Sequence, residues 1–206
     1  MLTGSLQVTF GLAVSGQLPW LRIAFLIPAQ ILASMCAGGL VRAMVPGDIS
    51  AANTTLSAQT SIAQGVFLEM LFTAQLVFVV LMLAVEKSRD TFLAPVGIGL
   101  TVFTVMVAGT FKSCIMLMPS GPIVPSKGRS IANLVLGTPY TGASINPARS
   151  LGCAVASSFP GYHWIYWIGP LLGAALAAAF YRFIKFANYQ DANPGQDSAG
   201  DEQGLP

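Results

Sequence analysis

Asn146-Pro147-Ala148-Arg149-Ser150 follows Tyr140-Thr141-Gly142-Ala143-Ser144-Ile145 in a chain that is otherwise mostly apolar. These residue types do not assemble bond-making chemistry, because no nucleophile, base and orienting group can be set together from them. They can handle a polar molecule in passing. The Asn146 amide offers a hydrogen-bond donor, and Arg149 a fixed positive charge one turn further on. Pro147 is pre-shaped for the first position of a helix that Asn146 can cap. A helix starting there puts partial positive charge at its N-terminus, which repels cations. Polar groups are costly at membrane depth, and where they occur they serve whatever crosses.

The elements that must position these residues read as membrane spans. Of 206 residues, 54% are hydrophobic and 9% charged, against roughly 25% charged in a soluble domain. Ile23–Val41, Ile62–Val85 (broken by Glu69), Thr91–Phe111 and Trp164–Tyr181 each reach or approach the ~20 residues that cross hydrocarbon. The net charge of +2 comes without a basic cluster, so no nucleic-acid partner is expected. Met1-Leu2-Thr3-Gly4 lacks a basic segment before an apolar core, so a cleavable signal peptide is not expected. Cys36, Cys114 and Cys153 have no metal-site spacing and read as small buried hydrophobes; no metal and no cofactor are expected. His163, within Tyr162-His163-Trp164-Ile165-Tyr166-Trp167, reads as part of an interfacial aromatic belt.

Charge orients the spans. With Arg22, Lys87, Arg89, Arg182 and Lys185 on the cytoplasmic side, Arg42, Lys112, Lys127 and Arg129 fall outside. Apart from the three cations between 112 and 129, this follows the positive-inside rule. Residues 46–60 are then external, which suits the glycosylation pattern Asn53-Thr54-Thr55. Residues 187–206 read as a disordered cytoplasmic tail. An internal repeat is also visible, with Phe10-Gly11-Leu12-Ala13-Val14 aligning with Leu151-Gly152-Cys153-Ala154-Val155. Each stretch leads through a Pro and a Trp into a span rich in small residues, as close helix packing in lipid requires. The expectation is an inverted repeat of short helices entering from opposite faces, each followed by a full span.

These motifs resemble the aquaporin (major intrinsic protein) family, orthodox water-channel branch. The match includes Tyr140 through Ser150, Trp164-Ile165-Tyr166-Trp167-Ile168-Gly169-Pro170-Leu171-Leu172-Gly173, Pro95-Val96-Gly97-Ile98-Gly99-Leu100-Thr101 and Glu69, within roughly residues 8–186. The resemblance implies an all-α membrane protein, a right-handed helical bundle with re-entrant half-helices, here four full spans plus two half-helices. It implies that Asn146 orients water in single file and that Arg149 belongs to the outer constriction. Pro147 and Ala148 complete the motif, and Ala143 stands at a constriction position. Carbonyls of Gly142, Ala143 and Ser144 line the pore on this reading, and Glu69 accepts from backbone N–H groups of the re-entrant loop. Met106 falls where water-selective members commonly carry histidine. Ser150 follows the arginine where glycerol-conducting members typically have aspartate. The resemblance further implies lipid and water as partners, a homotetramer or a mixed tetramer with intact relatives, and a multi-pass plasma-membrane location with the C-terminus cytoplasmic.

The chain also departs from the family. It begins at the first half-helix, so it reads as N-terminally truncated, and the repeat sets Ser5-Leu6-Gln7 where a second Asn-Pro-Ala belongs. Residues 108–133 are rich in proline, lengthen the stretch between Pro95 and Thr141, and read as an insertion. Residues 1–7 likewise read as foreign to the channel, whose domain is taken as 1–186. The leading reading is passive water transport. The alternatives are a truncated, non-conducting protein that modulates intact aquaporins, a glycerol or small neutral solute facilitator, and a secondary transporter. The last also uses broken inverted repeats but needs a charged coupling site, for which Glu69 and Arg149 are the span-embedded candidates.

Overall fold

The computed structural model describes residues 4–46, 50, 53–86, 91–110 and 140–187, and these fold into helices and their connections. In chain order they are α1 (Leu6–Val14), α2 (Trp20–Met44), α3 (Ile62–Val80), α4 (Ala94–Thr110), α5 (Pro147–Ala156) and α6 (Ile165–Phe186). A π-helical turn, Leu81–Val85, continues α3, and a 3-10 turn, Thr91–Leu93, leads into α4. Lys87, Arg89, Lys112, Cys114, Lys127, Arg129, most of the expected insertion and the expected tail from 188 onward lie outside the described residues.

Among the described residues, three stretches are long and apolar enough to cross a membrane, namely Trp20–Met44, Ile62–Val85 and Ile165–Phe186. The fourth expected span appears as the 3-10 turn and α4, which has 17 residues. At ~1.5 Å per residue it covers about 25 Å of a hydrocarbon core about 30 Å thick. Local chemistry explains the ends. Ser61 and Gln64 form a reciprocal capping box at the start of α3, with Gln64 N–H on Ser61 Oγ at 3.2 Å and Ser61 N–H on Gln64 Oε1 at 2.9 Å. Gly16, at φ +85°, closes α1: Gln17 N–H reaches the Leu12 carbonyl and Gly16 N–H that of Ala13.

The core lies among α1, α3, α4 and α6, where Leu12, Val77, Val80, Leu81, Val105, Ala174 and Tyr181 pack together with Ile145 of the re-entrant loop. α2 is different. Ile23 is its buried residue, while Phe25, Leu32 and Leu40 are 74%, 61% and 63% exposed. An apolar surface of this kind meets lipid tails without penalty. Cys36 shares that exposure, which corrects the expectation of a buried cysteine; it lies on a helix that packs with little of its circumference.

The repeat is borne out in three dimensions. α1 begins at Leu6 after Ser5 and α5 at Pro147 after Asn146, the residues that the alignment pairs. The expectation that residues 1–7 stand outside the channel meets a structure in which Leu6 and Gln7 are buried in the first turn of α1. Each short helix lies chiefly on the long helix of the other unit, α1 on α6 and α5 on α2. At the far end of α5, Arg42 Nη1 donates to the Ala156 carbonyl at 2.9 Å, a cation at a helix C-terminus. The far end of α1 lies beside Arg182, near the C-terminus of α6. Because Leu56 N–H bonds Tyr162 Oη, the C-terminal side of α2 and the N-terminal side of α6 share one face. The two short helices therefore run toward opposite faces.

Close approach fixes the α2–α5 crossing. A Cβ on Gly152 would overlap the Ser34 backbone, and one on Gly38 would overlap the Gly152 carbonyl. In addition, Ser34 Oγ donates to the Ala148 carbonyl.

Candidate functional site

The site is built from the loop that enters α5. Gly142, Ala143 and Ile145 adopt φ of +76°, +43° and +43°. Such values come easily to glycine, but for Ala143 and Ile145 they cost roughly 1–2 kcal/mol each. Strain of this kind persists only where the surroundings over-determine it, and here Glu69 does so. Its Oε1 accepts from Ser144 N–H at 2.9 Å and its Oε2 from Ile145 N–H at 2.8 Å, and the residue is 0% exposed. Upstream, Ala143 N–H donates to Thr141 Oγ1 at 3.2 Å, and Tyr166 Oη donates to the Thr141 carbonyl at 2.9 Å.

Peptide geometry then aims the carbonyls. The peptide bonds are trans, so each C=O points opposite the N–H of the same unit. With the N–H groups of Ser144 and Ile145 on Glu69, the carbonyls of Ala143 and Ser144 face away from it. Arg149 Nη1 meets the first of these at 3.2 Å. Ala143 and Ser144 are both 0% exposed and lie off the groove's lining, so these carbonyls are covered in this structure.

At the helix start, Asn146 Oδ1 accepts from Ala148 N–H at 3.1 Å. This caps α5, with Pro147 at its first position, and leaves the Nδ2 donors for a ligand. Asn146, Ala148 and Arg149 face a groove of about 430 Å³ shared with Ser5, Leu6 and Gln30. Ser5 makes no side-chain cap, so α1 presents its first N–H groups without the acceptor that Asn146 gives α5.

Most of the expected residues converge here. Gly142, Ala143 and Ser144 form the re-entrant loop, Glu69 braces it, and the start of α1 faces the start of α5. Two stand apart. Gln7, 1% exposed, is packed within α1 and not among the groove's lining residues. Met106 is half-buried on α4 against the core that contains Ile145, and it too is absent from that lining. Ser150 is 0% exposed and faces Thr54 and Ser144, not the groove. Asn53 Nδ2 donates to the Ser158 carbonyl at 2.8 Å, which ties the expected external loop to the segment after α5. Ser34, Arg42 and Thr54 were not anticipated. Ser34 and Thr54 sit in runs of similar residues, Arg42 is a lone cation at the end of an apolar run, and only the fold shows that all three meet α5.

A family model, Major intrinsic protein, matches residues 7–126 and 127–181. The chain belongs to the major intrinsic protein family. The two matched segments meet inside the stretch expected to be an insertion. Among relatives, "Probable aquaporin-3" of Gibberella zeae is 61% identical over 195 residues, covering 94% of this chain and 58% of that protein. Aquaporin-7 of Botryotinia fuckeliana is 45% identical over 192 residues, covering 93% and 36%. Aquaporin-2 of the same organism is 44% identical over 198 residues, covering 96% and 45%. The chain thus spans between about a third and three-fifths of the length of these curated relatives. As a member of this family with several membrane-crossing helices, it is an integral, multi-pass membrane protein.

Proposed function

We propose that the protein conducts water passively through a pore whose midplane is marked by Asn146 and whose constriction includes Arg149. The observation that carries this reading is the double use of the Asn146 amide. Its oxygen is directed at Ala148 N–H in capping α5, so the Nδ2 donors are what it offers to a molecule in the groove. Water held there offers its oxygen to Nδ2 and turns its hydrogens away from the start of α5. The positive N-terminal ends of α1 and α5 and the charge of Arg149 raise the energy of any cation. Exclusion of protons in this way is established behaviour of aquaporin-type pores and is applied here to these residues.

Water is favoured over glycerol by the small Ala143 and by Ser150 after the arginine. Because Ser150 is buried, its influence on the solute runs through the loop. A tetramer, of this chain or mixed with intact relatives, and a plasma-membrane location with the C-terminus in the cytoplasm belong to the same proposal. Stopped-flow shrinkage of liposomes carrying the full-length protein tests it. Water permeability is expected to exceed that of protein-free liposomes by far more than glycerol permeability does, and Arg149→Ala is expected to narrow the gap. Glycerol uptake as fast as water would overturn the choice of solute. A second reading, a subunit that modulates intact relatives, is favoured by the exposed apolar surface of α2 beside the groove. Lowered water permeability of a co-expressed relative would support it.

A further inference from the structure

Three hydroxyls stand in line behind the re-entrant loop. Thr54 Oγ1 donates to Ser150 Oγ at 2.8 Å, Ser150 Oγ and Ser144 Oγ share a short hydrogen bond, and Ser144 Oγ donates to the Asn146 carbonyl at 3.1 Å. Each hydroxyl has one proton to give. One order uses all three protons: Thr54 to Ser150, Ser150 to Ser144, Ser144 to Asn146. The Asn146 carbonyl that ends the row also takes Ser150 N–H at 3.2 Å, so the row closes on the turn it supports. All three side chains are 0–1% exposed, and none is a lining residue of the groove. They do not touch a molecule in transit.

The head of the row lies on a different element from its end. Thr54 belongs to the connection between α2 and α3, which is fastened to the α5 side of the molecule at several points. Asn53 Nδ2 holds the Ser158 carbonyl at 2.8 Å, Leu56 N–H holds Tyr162 Oη at 3.2 Å, and Ser57 N–H holds the Tyr140 carbonyl at 3.1 Å. The connection also abuts the strained segment directly, since a Cβ on Gly142 would come within 3.2 Å of Thr54 Cα. Glu69 braces the N–H side of the loop, and the hydroxyl row braces the turn from the opposite end of the same residues. A buried row of this kind rigidifies when every member is satisfied and loosens when one is lost.

We propose that Thr54 is a positioning residue that acts through Ser150 and Ser144 to hold Asn146 and Arg149 in place, and so sets the ratio in which the pore passes water and larger neutral solutes. The solute ratio rests on the channel reading above; the positioning does not. The test uses the full-length protein in lipid, as wild type, Thr54→Val, Thr54→Ser and Ser150→Ala. Two measurements are made, amide hydrogen exchange across residues 141–150 and the glycerol-to-water permeability ratio. Thr54→Val keeps the shape and removes the hydroxyl. It is expected to raise exchange in that segment about fivefold, the factor carried by one buried hydrogen bond, while exchange in α6 stays at the wild-type rate, and to raise the solute ratio. Ser150→Ala is expected to do the same, and Thr54→Ser to behave as wild type. If Thr54→Val does not fold, Ser150→Ala against wild type decides. Wild-type exchange in Thr54→Val, or equal disturbance by Thr54→Ser, would overturn the proposal. A purely structural role would lower both permeabilities at an unchanged ratio. If wild-type liposomes pass neither solute, the channel reading fails, and the exchange measurement still decides the role of Thr54.

Discussion

Glu69 and Asn146 show how one side chain can fix what a loop offers to a solute without itself doing chemistry. Both carboxylate oxygens of Glu69 are spent on backbone N–H groups, and a glutamine there has one acceptor oxygen and an amide NH2 facing a donor. Hydrogen bonds to a charged group are worth about 1.5–3 kcal/mol each, so Glu69→Gln is expected to lower the thermal unfolding midpoint in detergent and to abolish most water permeability. His163 gives a pH test outside the spans. Burial pushes its pKa below the ordinary histidine value, and its ring nitrogens have no hydrogen-bond partner among the described residues. It packs edge-on against Phe159 and Tyr166 at 5.3 and 5.9 Å between ring centres. The folded state favours the neutral ring, so this contribution is present above the unfolded value of about 6.5 and is lost as pH falls through the lower folded value. Melting curves across that window are expected to fall less steeply for His163→Phe than for wild type. Asn146, Arg149 and Glu69 were legible in the sequence because polar residues among apolar ones announce themselves. Thr54 was not, because a threonine in a polar connection has no contrast, and its pattern had instead suggested glycosylation.

At the scale of elements, the inverted repeat carried the fold. The pairing of Ser5 with Asn146 gave both half-helix starts, since a cap followed by an apolar turn is a local signal. The crossing partners were less legible: that α5 lies on α2 and α1 on α6 depends on long-range packing, which one sequence does not record. Adjacent glycines in α2 test the packing. A Cβ on Gly38 meets the Gly152 backbone and, at 3.4 Å, Ala156, whereas one on Gly39 meets nothing within 4 Å. Gly38→Ala is expected to destabilise by about 1–3 kcal/mol through overpacking. Gly39→Ala is expected to be neutral or to stabilise by up to ~1 kcal/mol through reduced chain entropy. Equal melting midpoints for the two variants would contradict the observed crossing.

On the scale of the whole molecule, α1, α2 and α5 line the groove. α1, α3, α4 and α6 close around a shared core, while α2 presents most of its surface outward. Tyr181 and Lys185 of α6 tie the far end of α3 by bonding Glu86, the lysine at 2.8 Å. These helices hold the starts of α1 and α5 on the same groove, which is what conduction of neutral molecules and rejection of cations both require. The most direct measurement pairs two fluxes in the same liposomes carrying the full-length protein, osmotic water flow and proton leak under a pH gradient. The account predicts water permeability well above protein-free liposomes with proton leak unchanged. Water flow equal to protein-free liposomes, or proton leak rising in step with it, would contradict the account.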